Sequence, residues 1–590
     1  KLDRAALPAP DYGAGAGEFV APRTAAEQVL AGIFADVLGV ARVGVHDGFF
    51  DLGGDSIVSI QLVARGRRAG LVFTVRDVFE RKTVAGLAVA ARGAEAAAGA
   101  VEPEGGGIGR VPLTPVMRRV AEAGGLADEF SQSVLVQVPA GLEWGRLVAA
   151  VQVVLDRHDM LRAWLDRSGE LRSWSLRVPP PGAVSAGGLC RRAEVPAGGL
   201  GEVLAREAAG ALRRLDPAAG VMVQVVWLDA GGGEPGRLLI AAHHLVVDGV
   251  SWRILVPDLS AAYEAAGSGS GSGPGPARTS FRAWAIRQEQ QAAGAAVLAE
   301  LPFWEGVTAG PGLVLGDLRV VAGRDHSGTA RSLTRVLGPG STLPLLTTVP
   351  AVFRGGINDV LLAAVAAAVA DWRGGDGRTG VLVDLEGHGR QEEQVFPGAE
   401  LSSTVGWFTS IHPVRLDAGA FSAAEFYAGG AVTGAVVKRV KEQLRAVPGQ
   451  GIGYGMLRYH NPGAAARLPA VTPPVLFNYL GRFAARPGTA WDTAPEPVPV
   501  SGTGPGVPAS HAISVNAVTL DGAGGPRLHI TWTWPDALFT GQDIAALADR
   551  WIRAVEAVIS HAAQPGAGGL TPSDLPLLAL TQDDIDQLEA

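Results

Sequence analysis

Cysteine is nearly missing from this chain: Cys190 is the only one in 590 residues. That excludes an internal disulfide framework and any four-cysteine zinc site, and it fits a reducing cytoplasm. Lysine is almost as scarce, and no lysine–arginine run exists to neutralise a phosphate backbone. With a formal net charge of −8, nucleic acid is excluded as an expected partner. No apolar run is long enough to span a bilayer, and the opening Lys1-Leu2-Asp3-Arg4 starts no apolar signal segment, so no membrane partner is expected either. There is no short repeat and no Walker loop, and Gly107-Ile108-Gly109 lacks the preceding strand that a dinucleotide fingerprint needs. What is present is apolar substance: 47% hydrophobic against 18% charged residues, enough for large buried cores. Glycine is abundant (81 residues), so a short glycine motif means little without its context.

The pattern divides the chain. A Pro/Ala/Gly-rich lead occupies residues 1–23. Thr24 and Glu27 form a capping box, and Leu30, Ile33, Phe34, Val37 and Leu38 then recur at helical spacing. A second amphipathic helix begins at Ser56 with Ile57, Ile60 and Ala64 on one stripe. Two shorter helices, 75–80 and 83–91, complete a compact helical unit over 24–92. Residues 93–107 read as a linker. Beyond 108 strands and helices mix. Strands are expected at 133–138, 221–228, 238–242, 381–385, 513–520 and 528–534, and helices at 143–158, 201–215, 358–372 and 541–561. Residues 267–278 read as a flexible surface excursion. The class is α+β, with 108–585 large enough for two lobes, about 108–290 and 291–585.

Two places carry chemistry. Gly53-Gly54-Asp55-Ser56 sets a serine at a helix start, where a phosphate ester would meet unpaired N–H groups and the positive dipole end; a plain serine N-cap is the alternative. No glycine follows two residues after Ser56, which disfavours a hydrolase elbow. His243-His244-Leu245-Val246-Val247-Asp248-Gly249 follows an apolar strand. One imidazole held there can act as a base near neutral pH, with Asp248 fixing the loop or the ring from behind; a buried hydrogen-bonded pair is the alternative. Adjacent histidines on extended chain point apart and no further ligands stand nearby, so no metal is expected.

The stretch Phe49–Ile57 (FFDLGGDSI), with its surrounding helices, resembles the peptidyl carrier proteins of nonribosomal peptide synthetases. That resemblance implies covalent 4′-phosphopantetheine on Ser56, and Asp55 matches carriers that precede epimerization domains. Lys1-Leu2-Asp3-Arg4 is similar to the last motif of an adenylation domain. HHLVVDGVSW is similar to the signature shared by condensation and epimerization domains, and Arg157–Arg162 resembles an early stretch of the same family. The fold so implied is a small four-helix carrier bundle followed by a two-lobed, chloramphenicol acetyltransferase-like domain, with His244 catalytic and His243, Asp248 and Gly249 shaping its loop.

Four further motifs resemble epimerization domains specifically: Leu385–Arg390 (LEGHGR), Val405–Ser410 (VGWFTS), Pro448–Gly455 (PGQGIGYG) and Phe477–Gly481 (FNYLG). The implied activity is inversion of the α-carbon of an aminoacyl or peptidyl thioester tethered to the carrier. Removing an α-proton from a thioester needs a base, donors for the oxygen and a second group to return the proton opposite. The resemblance puts His244 and Glu386 on opposite faces of that carbon. Asn478 and Tyr479 are candidate polar groups around the thioester. Glu386 reads alternatively as an ion pair with Arg390, Tyr479 as packing or tunnel wall, and Trp407 as wall. Val111–Glu122 lacks the aromatics usual in the family's first motif, and Ser403 and His412 stand where arginine and an aromatic are frequent.

A condensation domain joining two carriers, or a silent docking module, are the rival readings. Expected partners are an upstream adenylation domain, a downstream condensation domain and a phosphopantetheinyl transferase, around a monomeric piece of a larger cytoplasmic synthetase.

Overall fold

A computed structural model of the chain describes residues 19–93, 102 and, apart from short stretches, 105–589; the longer stretches left out are 269–278, 310–319, 374–379, 484–489 and 498–503. Residues 1–18 of the lead, with the adenylation-like Lys1-Leu2-Asp3-Arg4, most of the 93–107 linker and most of the expected excursion at 267–278 lie outside the described residues. Contacts divide the chain into two compact units, 1–98 and 99–590.

The first unit is built from helices Ala25–Leu38, Ser56–Arg68, Val75–Arg81 and Val84–Ala90. The Thr24 hydroxyl accepts from the Glu27 amide at 3.1 Å while the Glu27 carboxylate accepts from the Thr24 amide at 3.1 Å, the expected reciprocal cap. Leu30, Phe34 and Leu38 face a core shared with Phe49, Val78, Val84 and Leu87. On the second helix the core-facing residues are Val58, Leu62 and Val63 rather than the expected Ile57–Ile60–Ala64 stripe, although Ile60 is buried too. The last element, Arg92–Gly93, pairs with Leu71–Val72.

The second unit has two large sheets of unequal character, and a small third one of the strands Gly109–Pro112, Ser175–Val178 and Trp164–Asp166 in that order. In the first lobe, strands Ser131–Gln137, Arg237–His243, Val223–Asp229 and Cys190–Glu194 form one sheet in that order. Helices Trp144–Arg157 and Gly249–Ser268 pack on each other beside it. In the second lobe a six-stranded mixed sheet runs Ala330–Leu337, Arg527–Pro535, Ile513–Leu520, Val475–Phe483, Gly380–Gly387, Ser410–Asp417. Helices Ile357–Trp372 and Gly541–Ala562 cover one face, burying Val360, Leu361, Leu547 and Trp551 against Val383, Phe477 and Val515.

The two cores do not divide in sequence order. Val395, Leu401, Val405, Trp407 and Phe408, and later Ile452–Leu457, belong to the hydrophobic core of the first lobe. The chain crosses once more after the strand Val475–Phe483. Residues 491–494 lie along the outer edge of Ser131–Gln137, with Val136 bridged to Thr493, and Arg237 forms a bidentate pair with Glu496 at 2.8 Å for each bond. No single helix among the described residues is long and apolar enough to cross a membrane.

Candidate functional site

The serine of the first unit sits after a turn that only glycine permits. Gly53 has φ 90°, and a Cβ on Gly54 would lie 2.4 Å from the Phe49 ring and 2.7 Å from its carbonyl oxygen. Asp55, not Ser56, caps the helix: its carboxylate accepts from the amides of Ile57 at 2.9 Å and Val58 at 2.8 Å. The serine-cap alternative is thereby removed, and Ser56 is the first helical residue, at the positive end of a 13-residue helix. These features fit a phosphate ester there.

In the second unit, the strand Arg237–His243 delivers the two histidines to different environments. His243 is fully buried, and its Nδ1 accepts from the Leu245 amide at 3.2 Å, closing the short turn that follows. His244 turns out between two aromatic rings. Phe130 stacks on it at 4.9 Å with an 11° tilt, and Trp407 lies at 4.4 Å. Trp407 thus packs directly against the imidazole. Burial, against the pull of backbone groups at 244 and 247 and of Asp248, holds the His244 ring below its ordinary value.

Asp248 fixes the loop rather than the ring. Its Oδ1 accepts from the Ser251 amide and hydroxyl, both at 2.8 Å, and from Arg390 at 3.4 Å; its Oδ2 accepts from the Phe408 amide at 3.2 Å. The Ser251 hydroxyl, 3.0 Å from the Gly406 carbonyl, also accepts from the Gly406 amide at 3.2 Å. The HHLVVDG, EGHGR and GWFTS stretches thus converge on one buried carboxylate. Gly249 is exposed and a Cβ there would meet nothing within 4 Å, so contacts within the chain do not call for glycine at this position.

Arg390 donates to the carbonyls of Leu401 and Thr404, each at 2.8 Å, and lies 3.9 Å above the Phe408 ring. With Nη1 on these carbonyls and Nη2 on Asp248, it does not pair with Glu386. Arg390→Ala would strand a buried carboxylate and is expected to cost about 3–5 kcal/mol in urea unfolding. Coupling to Asp248→Asn would show as a double variant less destabilised than the sum of the singles. Between them Gly389 has φ 67°, and a Cβ would lie 1.7 Å from the Phe408 carbonyl oxygen. Gly389→Ala is expected to lose about 2 kcal/mol or more of stability, read from the same unfolding curves.

Glu386 stands near the end of the strand Gly380–Gly387, half-buried, with no hydrogen bond or ion pair to a described residue. Burial pushes its carboxyl up to about 7; the Arg119 charge opposes the shift and Asp248 adds to it. Asp248 thus acts electrostatically on both His244 and Glu386, and also on His388, which burial and Arg390 depress to about 4.

Parallel register places Leu385 beside Phe477, so Glu386 and Asn478 share one face of the sheet. Tyr479 takes the other face. Its ring is in the second lobe's core and its hydroxyl meets Thr519 at 3.0 Å, on the sheet face away from Glu386.

Sequence reasoning missed the cluster two residues before Glu386. The Asp384 carboxylate is met by Arg119 at 2.6 Å and His511 at 2.9 Å. Burial alone would raise Asp384, but these two partners hold it below the usual carboxylate range. A small pocket opens beside this strand pair, lined by Val116, Arg119, Ser410, Ile411, Ile452 and Tyr459. It missed Gln132 as well. The only sequence signal for these groups is a polar residue set within an otherwise apolar element.

Comparison with known proteins gives this arrangement its kin. The Condensation domain family matches residues 232–575, and the Phosphopantetheine attachment site family matches residues 28–90. The chain is 36% identical, over its whole length, to a linear gramicidin synthase protein of Brevibacillus parabrevis, and 32% identical to a surfactin synthase protein of Bacillus subtilis. It spans 11% and 16% of those proteins. Among solved structures, the epimerization domain from the third module of tyrocidine synthetase B superposes with TM-score 0.66 at 26% identity, over 77% of this chain and 99% of that one. The first condensation domain of the calcium-dependent antibiotic synthetase shares the fold, at TM-score 0.54 and 19% identity, over 78% of this chain and 97% of that one. The chain therefore belongs to the condensation-domain family, joined, as in nonribosomal peptide synthetases, to a preceding phosphopantetheine attachment domain.

Proposed function

We propose that the second unit is an epimerase that inverts the α-carbon of an aminoacyl or peptidyl thioester carried on Ser56. The observation that carries this reading is Glu386. It is a half-buried carboxyl with no partner among the described residues, held at about 7 and linked to His244 through the field of Asp248. A carboxyl poised near neutrality can take up or give a proton. Phosphopantetheine, when attached, supplies the thiol that holds the acyl group as a thioester. His244 and Glu386 take the α-proton on one face and return one on the other. Asn478, on the same sheet face as Glu386, is a candidate donor to the thioester oxygen. The EGHGR, GWFTS and FNYLG stretches, and the likeness to the tyrocidine synthetase epimerization domain, support inversion over amide formation.

The test is α-proton exchange in heavy water. Ser56 is loaded with each of a small panel of L-aminoacyl-phosphopantetheines, and deuterium uptake and product chirality are followed by mass spectrometry and chiral separation. Uptake with D-product is the expected result. Loaded carrier with no uptake across the panel overturns it; amide product with a second loaded carrier would then favour the condensation reading, which the family match also suits.

Where Glu386 gives the proton, inversion falls as pH rises through about 7, because the ionised carboxylate has no proton left to give. At the acid end it falls when His244 protonates.

A further inference from the structure

Gln132 lies on the first strand of the first lobe, and its side-chain amide joins two groups more than a hundred residues away. Its Oε1 accepts from the Trp252 indole at 2.9 Å, and its Nε2 meets the His244 Nε2 at 2.9 Å. An indole N–H can only donate, so the amide oxygen must face Trp252 and the NH2 must face His244. The imidazole is then obliged to accept at Nε2 and to keep its proton on Nδ1. Nδ1 itself is buried and makes no hydrogen bond among the described residues. The stacked Phe130 and the adjacent Trp407 hold the ring in this plane.

We propose that Gln132 is a positioning residue that keeps His244 neutral at rest, with its proton on Nδ1 and its Nε2 lone pair held by the Gln132 NH2, which must swing off that lone pair before His244 takes the α-proton there and Glu386 returns one. This rests on the epimerization reading. Protonating Nε2 sets two N–H groups against each other, and relief requires the amide to turn over and break its bond to Trp252. The imidazolium is thereby kept short-lived. The charged and titratable groups about the ring are few. Asp248, at the start of the following helix, favours the charged ring, and Arg390 offsets that carboxylate from the other lobe. His243 points into the core, and Glu386 and His388 stand on the strand and turn that also feel Asp248.

Gln132→Glu is the decisive variant. It keeps the acceptor for Trp252 and the shape, but presents a carboxylate to His244. The acid limb of α-proton exchange is expected to move up by about 1–2 pH units. In ¹⁵N spectra of the full chain, the His244 ring is expected to be the Nδ1–H tautomer at pH 7 in the unaltered protein and imidazolium in the variant. Trp252→Phe frees the amide to turn, and is expected to add the Nε2–H tautomer. An Nε2–H tautomer in the unaltered protein overturns the proposal. So does a folded Gln132→Glu whose ring ionises as before, or a folded Trp252→Phe whose ring stays wholly Nδ1–H. If the spectra agree but no panel member exchanges, the epimerase reading fails and the tautomer assignment stands.

Discussion

Glu386→Gln is expected to stop inversion while leaving exchange alive. Glutamine keeps the size and polarity of the side chain but can neither give nor take the proton. Loss of one acid–base group from a proton transfer typically costs about 10²–10⁴ in rate, so D-product should fall by that factor. His244 is untouched and can remove an α-proton and return it to the same face after exchange with solvent. The L-thioester should therefore gain deuterium and stay L. His244→Gln gives the complement: above pH 7, where Glu386 is ionised, exchange should appear only in the D-isomer when that isomer is loaded. Because Glu386 makes no hydrogen bond or ion pair to a described residue, its replacement should leave urea unfolding nearly unchanged, which separates this result from simple misfolding. Inversion that survives Glu386→Gln at its original rate would remove Glu386 from the reaction.

Ser56→Ala is expected to abolish loading outright. Incubated with coenzyme A and a phosphopantetheinyl transferase, the unaltered chain should gain one phosphopantetheine by mass and the variant none. The helix should survive, because the cap comes from the Asp55 carboxylate and alanine is a good helix residue at the next position. Circular dichroism of the two proteins should coincide. All carrier-borne exchange and inversion disappear with the attachment. A mass gain that persists in the variant would place the attachment on another hydroxyl.

Much of the architecture is legible in the sequence. The capping box at Thr24 and the long helices 358–372 and 541–561 follow from local chemistry and period, and the structure has them within a residue or two. The strand Val475–Phe483 shows in the sequence only as a motif, because Asn478 and Gly481 interrupt its apolar run. Its parallel pairing, which sets Asn478 beside Glu386 and sends Tyr479 into the core, depends on strands far apart in sequence. The same holds for Gln132 and His244, 112 positions apart, and for Arg119 and Asp384, 265 apart. Short strands such as Gly109–Pro112 and Trp164–Asp166 carry too few residues to show a period.

The return of residues 491–494 to the edge of Ser131–Gln137 bears on how this protein can be dissected. A fragment ending before Trp491 would hold every strand of the first lobe's sheet yet leave its outer backbone bare, along the strand that also bears Gln132. Unpaired edges of that kind recruit other chains. Cutting the second unit between its lobes should therefore yield an aggregating piece rather than a free-standing half-enzyme, while a cut placed after the Arg237–Glu496 pair spares that edge.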